Sequence, residues 1–479
     1  MATSTLPTAS RLQALIHSLE AGLLERAAAV RLALLAALAG EHVLLIGPPG
    51  TAKSELARRL HRAFAGASYF ERLLTRFSTP EELFGPLSLK ALEDDRYERL
   101  TAGFLPTAGI AFLDEVFKAN SAILNALLTL LNEREFDNGA GRLATPLISV
   151  IAASNEVPAD EALRAFHDRF LLRVPVAPVS DASFAALLTL RPQTDQPAAA
   201  PIDAAERAAI RAARDAVQLG DDALQACLQL RAWLAAQQIE VSDRRWRQWI
   251  GLMQTAAATE GRPQLDRFDL WLAPYVVSPD PDAAPKVAAW FAAELLRAVP
   301  QEAPWLTRAV EAFEKQLDIE QAAEAEGDGS GAGKLALAQA ISGAGRGAER
   351  SSEAAPAPAD PGAPNMMRLV SKQLEAQLRQ HYSPVHIAAR VAQVAEILQH
   401  TQVQREQIAA TVQQLREALA GRYWMPPTLV QQLQGAHAQT LATLDALLAR
   451  LHACRAGFAE LPEDAALPAQ PPEPVALTA

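Results

Sequence analysis

Only two cysteines, Cys227 and Cys454, occur in 479 residues, with no CxxC pair, so neither a disulfide framework nor a cysteine metal centre is expected. A reducing, cytoplasmic setting fits that scarcity. The opening MATSTLPTASRLQ lacks a charged head followed by an apolar run and does not read as a secretory signal. The longest uncharged stretch, residues 423–444, holds Pro426, Pro427, His437 and four glutamines, too polar to span a bilayer. Basic excess is also missing: 44 Lys and Arg against 55 Asp and Glu leave −11, which argues against a nucleic-acid face. The nine histidines form no HExxH-like cluster, which excludes that class of metal ligation.

What is present is the composition of a globular chain, 50% hydrophobic and 21% charged, long enough for two or three domains. Helical spacing over residues 11–39 is punctuated by Gly22 and Gly40 and predicts two short helices. Apolar runs at 42–46, 110–113, 147–153 and 170–176, alternating with helical stretches, predict a parallel sheet, so residues 1–179 read as an α/β domain. Residues 200–278 show helical spacing only and read as an all-helical domain. Helical pattern at 284–325 and 365–459 predicts the two parts of a helical module, its second part an antiparallel hairpin broken at Pro426-Pro427 and packed on the first part, against the alternative of an intermolecular coiled coil. Between them, residues 326–364 are rich in Gly, Ala, Ser and Pro and read as a linker. Residues 460–479, with five prolines, four acids and no base, read as a solvated, mobile tail.

The strongest chemical signal is Gly47-Pro48-Pro49-Gly50-Thr51-Ala52-Lys53-Ser54, between a strand and a helix. Such a loop can turn backbone N–H groups around a β-phosphate, bring Lys53 to the β- and γ-phosphates and offer the Ser54 hydroxyl to Mg²⁺. Ala52 stands where the pattern usually has glycine. A second glycine-rich stretch, 329–335, has no preceding strand and ends in Leu335, which cannot ligate a metal; it reads as linker.

The run Ile110-Ala-Phe-Leu-Asp114-Glu115 predicts a buried strand that delivers two carboxylates to the sheet edge, Asp114 for the Mg²⁺ shell and Glu115 to polarise water. Asn155, at the tip of the strand beside the phosphate-loop strand, is a candidate to touch the γ-phosphate or its water; alone it would be a turn residue. Arg169, in Phe166-His-Asp-Arg-Phe, is a candidate to be supplied to a neighbouring subunit's transition state, against an ordinary ion pair with Asp168. Arg244 follows the N-cap candidates Ser242 and Asp243 and could swing onto the phosphates, with Arg245 expected to face solvent.

Taken in order, GPPGTAKS, AFLDE, SVIAASNE, AFHDRF and VSDRRW resemble the Walker A, Walker B, sensor 1, arginine finger and sensor 2 elements of an AAA+ ATPase. The segments LLTRFSTPEELFGPLSL and FLDEVFKANSAILNALLTLLNEREF resemble the MoxR branch, closely its RavA subfamily. The resemblance implies a P-loop sheet followed by a helical lid, and a ring, usually a hexamer, with ATP or ADP and Mg²⁺ bound between subunits. It further implies that Leu24 lines the adenine pocket, that Gly50 to Glu55 hold the phosphates and that Arg169 acts in trans. A chaperone-like role beside a partner with a von Willebrand factor A domain, and a further protein client, also follow from it. RavA-type chains carry a small β-rich domain where residues 326–364 show no strand pattern, which leaves docking through such a domain in doubt. The competing readings are the ATPase subunit of a metal chelatase and a nucleotide-gated scaffold that rarely hydrolyses; a DNA-remodelling role fits the charge least.

Overall fold

The computed structural model describes residues 6–139, 141–158, 161–190, 200–296, 304–323 and 380–475. They form two compact units, one of residues 1–298 with 416–433, the other of residues 299–415 with 434–479. The expected linker at 326–364, with its glycine-rich stretch at 329–335, lies outside the described residues.

The first unit opens with α1 (Ala9–Glu20) and α2 (Ala27–Ala39). Gly22 and Gly40 stop them in left-handed conformations, φ +74° and +79°, that glycine adopts without strain. Then come β1 (Val43–Ile46), α3 (Lys53–Arg62), β2 (Tyr69–Leu73), α4 (Pro80–Phe84), α5 (Leu89–Glu93), β3 (Ile110–Asp114) and α6 (Ser121–Glu133). A hairpin of β4 (Glu135–Asn138) and β5 (Gly141–Ala144) follows, then β6 (Ser149–Ser154), α7 (Glu161–His167), β7 (Leu172–Pro175) and α8 (Asp181–Leu188). Five strands pair in parallel in the order β2-β3-β6-β1-β7. β1 and β6 are buried at every position, which is why both read as continuous apolar runs. The fold is that of an α/β P-loop domain.

The lid follows as α9 (Ala204–Ala216), α10 (Asp221–Ala236), α11 (Asp243–Thr259), α12 (Ala273–Val276) and α13 (Ala284–Leu296). A two-residue parallel pair, β8 (Gln218–Leu219) with β9 (Gln264–Leu265), departs from an all-helical reading. It ties the loop after α9 to the loop after α11.

The second unit is built on α14 (Pro304–Ala322) and most of α15 (Pro384–Leu419) and α16 (Pro427–Ala459). Its core gathers Leu306, Val310 and Phe313 with Val394, Leu398, Ile408, Val412, Leu444, Leu451 and Phe458, the helical seam visible in the sequence. The described segment after Glu460 is mostly exposed, as read, but it is anchored at several points. Leu461 is buried in this core, Val475 packs on it, and backbone bonds join Tyr382 to Pro462 and Asp464. Proline-rich composition hides these anchors, since part of them runs through main-chain atoms and the rest through two isolated apolar side chains. Among the described residues no helix is long and apolar enough to cross a membrane.

Candidate functional site

β1 ends at Ile46 and α3 starts at Lys53, so the glycine-rich loop lies at the carboxyl edge of the sheet, ahead of a helix N-terminus. Gly47 cannot be larger: a Cβ there would meet the Val176 carbonyl oxygen at 2.0 Å. Gly50 (φ +79°) and Ala52 (φ +63°) are both left-handed, so Ala52 adopts the conformation that the expected glycine would supply, at a cost of about 1 kcal/mol. Lys53 folds back on the loop, donating to the Gly47 and Pro48 carbonyls at 2.8 Å each. Burial lowers its pKa, while Asp114 and Glu115 pull it up.

β3 delivers Asp114 and Glu115 to the same edge, and β6 delivers Asn155. Asp114 Oδ1 accepts the Glu115 N–H at 3.0 Å, and Glu115 is left-handed at φ +52°. Its Oε1 accepts from Asn155 Nδ2 at 2.6 Å and its Oε2 lies 3.4 Å from Lys118 Nζ. A cleft of about 380 Å³ is lined by Pro49 to Glu55, Asp114, Glu115 and Asn155, with Arg58 at its rim. The volume suits a small-molecule site. Glu55 reaches Arg59 one turn on, at 2.8 Å. A larger groove of about 850 Å³, between α10 and α11, is lined by Arg231, Trp246 and Asp168 and has no phosphate-binding loop.

Ser54 and Asp114 face this cleft together, a hydroxyl and a carboxylate. These hard oxygen donors suit Mg²⁺, which takes few protein ligands beside water and phosphate oxygens. Among the described residues no cluster of three or more His, Cys, Asp or Glu offers a metal site of its own.

Arg169 and Arg244 are elsewhere. Arg169 precedes β7, whose first residue Leu172 pairs with Val43, the first of β1, so it stands at the amino edge of the sheet. β1 is four residues long, so ~13 Å of strand separates that edge from the cleft. Arg244 is exposed and donates to Asn132 Oδ1 at 2.9 Å, and it does not line the cleft. The two arginines are close enough that Arg244, after burial, lowers the pKa of Arg169. Arg169 Nε is buried without a hydrogen-bond partner, and Asp168 pairs with Arg245 at 3.1 Å and Arg173 at 3.6 Å instead.

The expectation for Arg245 is reversed. It is 3% exposed, and its guanidinium donates to Asp168 Oδ1 and to the carbonyls of Asp168, Phe170, Leu171 and Val276. Sequence reasoning also missed Arg26, the residue before α2, which donates to the carbonyls of Thr51 at 3.1 Å and Ala177 at 2.6 Å. Leu24 is half-buried in the turn just before it.

Near the arginines, burial pushes the Glu41 carboxyl up to about 7, against the pull of Arg134, Arg244 and the Gln248 amide. A carboxyl raised in the folded state favours folding below its unfolded pKa, here 4.5, and loses that contribution as pH rises through about 7. Glu41→Gln is therefore expected to exceed the wild type in stability at pH 8 by on the order of 1–3 kcal/mol. In urea midpoints that advantage disappears as the pH is lowered to about 4.5.

Residues 10–214 match the family model for the MoxR domain of MoxR–vWA–β-propeller ternary systems, and residues 222–291 match that of an AAA lid domain. Residues 10–214 are therefore those of a MoxR-type AAA+ domain, and residues 222–291 its lid. Two uncharacterized proteins of Methanocaldococcus jannaschii are similar to this chain, one 40% identical over 58% of it and 74% of their own length, the other 39% over 57% and 71%. The protein MoxR of Paracoccus denitrificans is 32% identical over 32% of this chain and 46% of its own. Both family-model matches fall within the first unit, which holds both the cleft and the arginine pair. An AAA+ domain of this type carries nucleotide binding with it.

Proposed function

We propose that this chain hydrolyses ATP with Mg²⁺ at a site completed by a second copy of itself, and uses the cycle to remodel or mature a protein partner. The observation that carries the reading is the placement of its polar groups: Lys53, Ser54, Asp114, Glu115 and Asn155 share one cleft, while Arg169 and Arg244 stand at the opposite edge. One chain cannot close that gap, whereas a neighbour in a closed ring, hexameric in the expectation above, can present its arginines to the cleft. Arg244 takes its place in this reading beside Arg169, in place of a swing onto its own phosphates.

In the cleft the loop amides and Lys53 hold the β- and γ-phosphates, and Leu24 flanks the base. Mg²⁺ held by Ser54 and Asp114 would neutralise charge on the phosphate oxygens. Glu115 orients a water and takes its proton as oxygen bonds to the γ-phosphorus and the bond to the bridging oxygen breaks, leaving ADP and phosphate. Asn155, already bonded to Glu115, aligns that carboxylate. Arg169 from the neighbour stabilises the charge that develops.

The family description supports a von Willebrand factor A partner, since it names MoxR domains that act in systems with vWA proteins. The opening helices and the last helices around residues 423–445 resemble those of the RavA subfamily. A metal-chelatase subunit would share the whole cleft, and a gated scaffold would keep binding without turnover. Lys53→Ala tests the site: binding of a fluorescent ATP analogue and steady-state turnover are both expected to fall at least about tenfold, since the β/γ-phosphate charge contact is lost. Unchanged binding and turnover would remove the phosphate loop from the account.

A further inference from the structure

Helix α2 has eleven of its thirteen residues buried, and two arginines leave it at different points for different backbones. Arg26, 7% exposed, holds the carbonyl of Thr51 inside the phosphate loop and that of Ala177 just beyond β7. Arg31, 6% exposed, donates to the carbonyls of Tyr423 and Met425, and its Nε is fixed by Glu20 on α1 at 2.6 Å. Those carbonyls belong to the turn between α15 and α16, which lies in the first unit although most of both helices do not.

The lid grips the same turn. Arg422 pairs with Asp269 at 3.0 Å and with Asp266, Tyr423 Oη donates to the Thr259 carbonyl, and the fully buried Trp424 donates Nε1 to Thr259 Oγ1 at 2.8 Å. The turn is thus clamped between α2 and the lid, and α2 is bonded to the loop that takes the phosphates. A buried helix packed on all sides moves as a body, so a displacement of Thr51 that pulls Arg26 is delivered about one and a half turns on at Arg31.

The geometry points to Arg26 as the positioning residue that ties α2 to the phosphate loop and to Arg31 as the one that ties α2 to the 421–425 turn, so that nucleotide occupancy is read out at that turn. This rests on the reading of the cleft as a nucleotide site. Arg26 restrains a loop with two left-handed residues in three, and the turn is the point where α15 passes into α16.

The test is amide hydrogen exchange on the full chain, with and without Mg²⁺ and a non-hydrolysable ATP analogue. In the wild type, exchange at residues 421–425 is expected to change at least about threefold on nucleotide binding. Arg31→Met abolishes that change while analogue affinity stays within about twofold, and Arg31→Lys, which keeps the charge but not the forked donors, leaves less than half of it. Arg26→Lys is expected to raise KM for ATP about tenfold with kcat within about twofold, and to lose the response at the turn. Should Arg31→Met fail to fold, Arg31→Lys decides, an undiminished response overturning the proposal. A wild type that binds the analogue while the turn exchanges unchanged overturns it and leaves the nucleotide site standing; a wild type that binds no analogue overturns both.

Discussion

Glu115→Gln is expected to reduce ATP turnover by about 10³-fold while leaving ATP affinity within about twofold. Glutamine keeps the shape of the side chain and still accepts from Asn155 Nδ2, the 2.6 Å contact that orients Glu115. What it lacks is the capacity to take a proton from water, a step made only in the transition state, so kcat falls and binding does not. Stopped-flow binding beside steady-state turnover separates the two quantities. The opposite result, with affinity lost and kcat kept, would show that the strand ending in Asp114-Glu115 holds the nucleotide and has no part in its hydrolysis.

Arg245→Met carries the largest expected stability loss, about 3–5 kcal/mol. The methionine fills much of the space but leaves the carbonyls of Phe170, Leu171 and Val276 without their donor, and leaves the Asp168 carboxylate without its nearest cation. Arg244→Met, one residue earlier and exposed, changes stability by less than about 0.5 kcal/mol. Its effect falls on turnover, since its head group stands beside Arg169. Urea unfolding of both variants gives the comparison; equal losses would mean that the two side chains are not divided between a structural and a displayed role.

That division shows where the sequence was legible. β1, β3 and β6 were readable because both faces of each strand are covered, and such strands are apolar throughout. β2 was not, because only Phe70 of its five residues is buried at the edge of the sheet. The exposed β4-β5 hairpin, rich in charge, gave no alternation to follow. The phosphate loop and the strand-end acids were readable since their chemistry fixes residue types at fixed spacing. Arg245 was misplaced although a signal existed: it continues the stripe Trp249, Leu252, Met253 and Ala256 back by one turn, so its position is on the buried face. Arg26 and Arg31 carried no signal in the sequence, because their acceptors are main-chain carbonyls far away in sequence, which no residue pattern encodes.

The central claim is that the site is shared between copies, with Glu115 from one and Arg169 from the next. Mixing two inactive variants, Glu115→Gln and Arg169→Ala, tests it most directly. In a random one-to-one mixture, roughly a quarter of adjacent pairs combine an intact Glu115 with an intact neighbouring Arg169. Turnover per subunit should therefore recover to roughly a quarter of the wild-type value, from less than about one hundredth for either variant alone. A mixture no more active than its components, or an Arg169→Ala protein that hydrolyses ATP at the wild-type rate, would contradict the account.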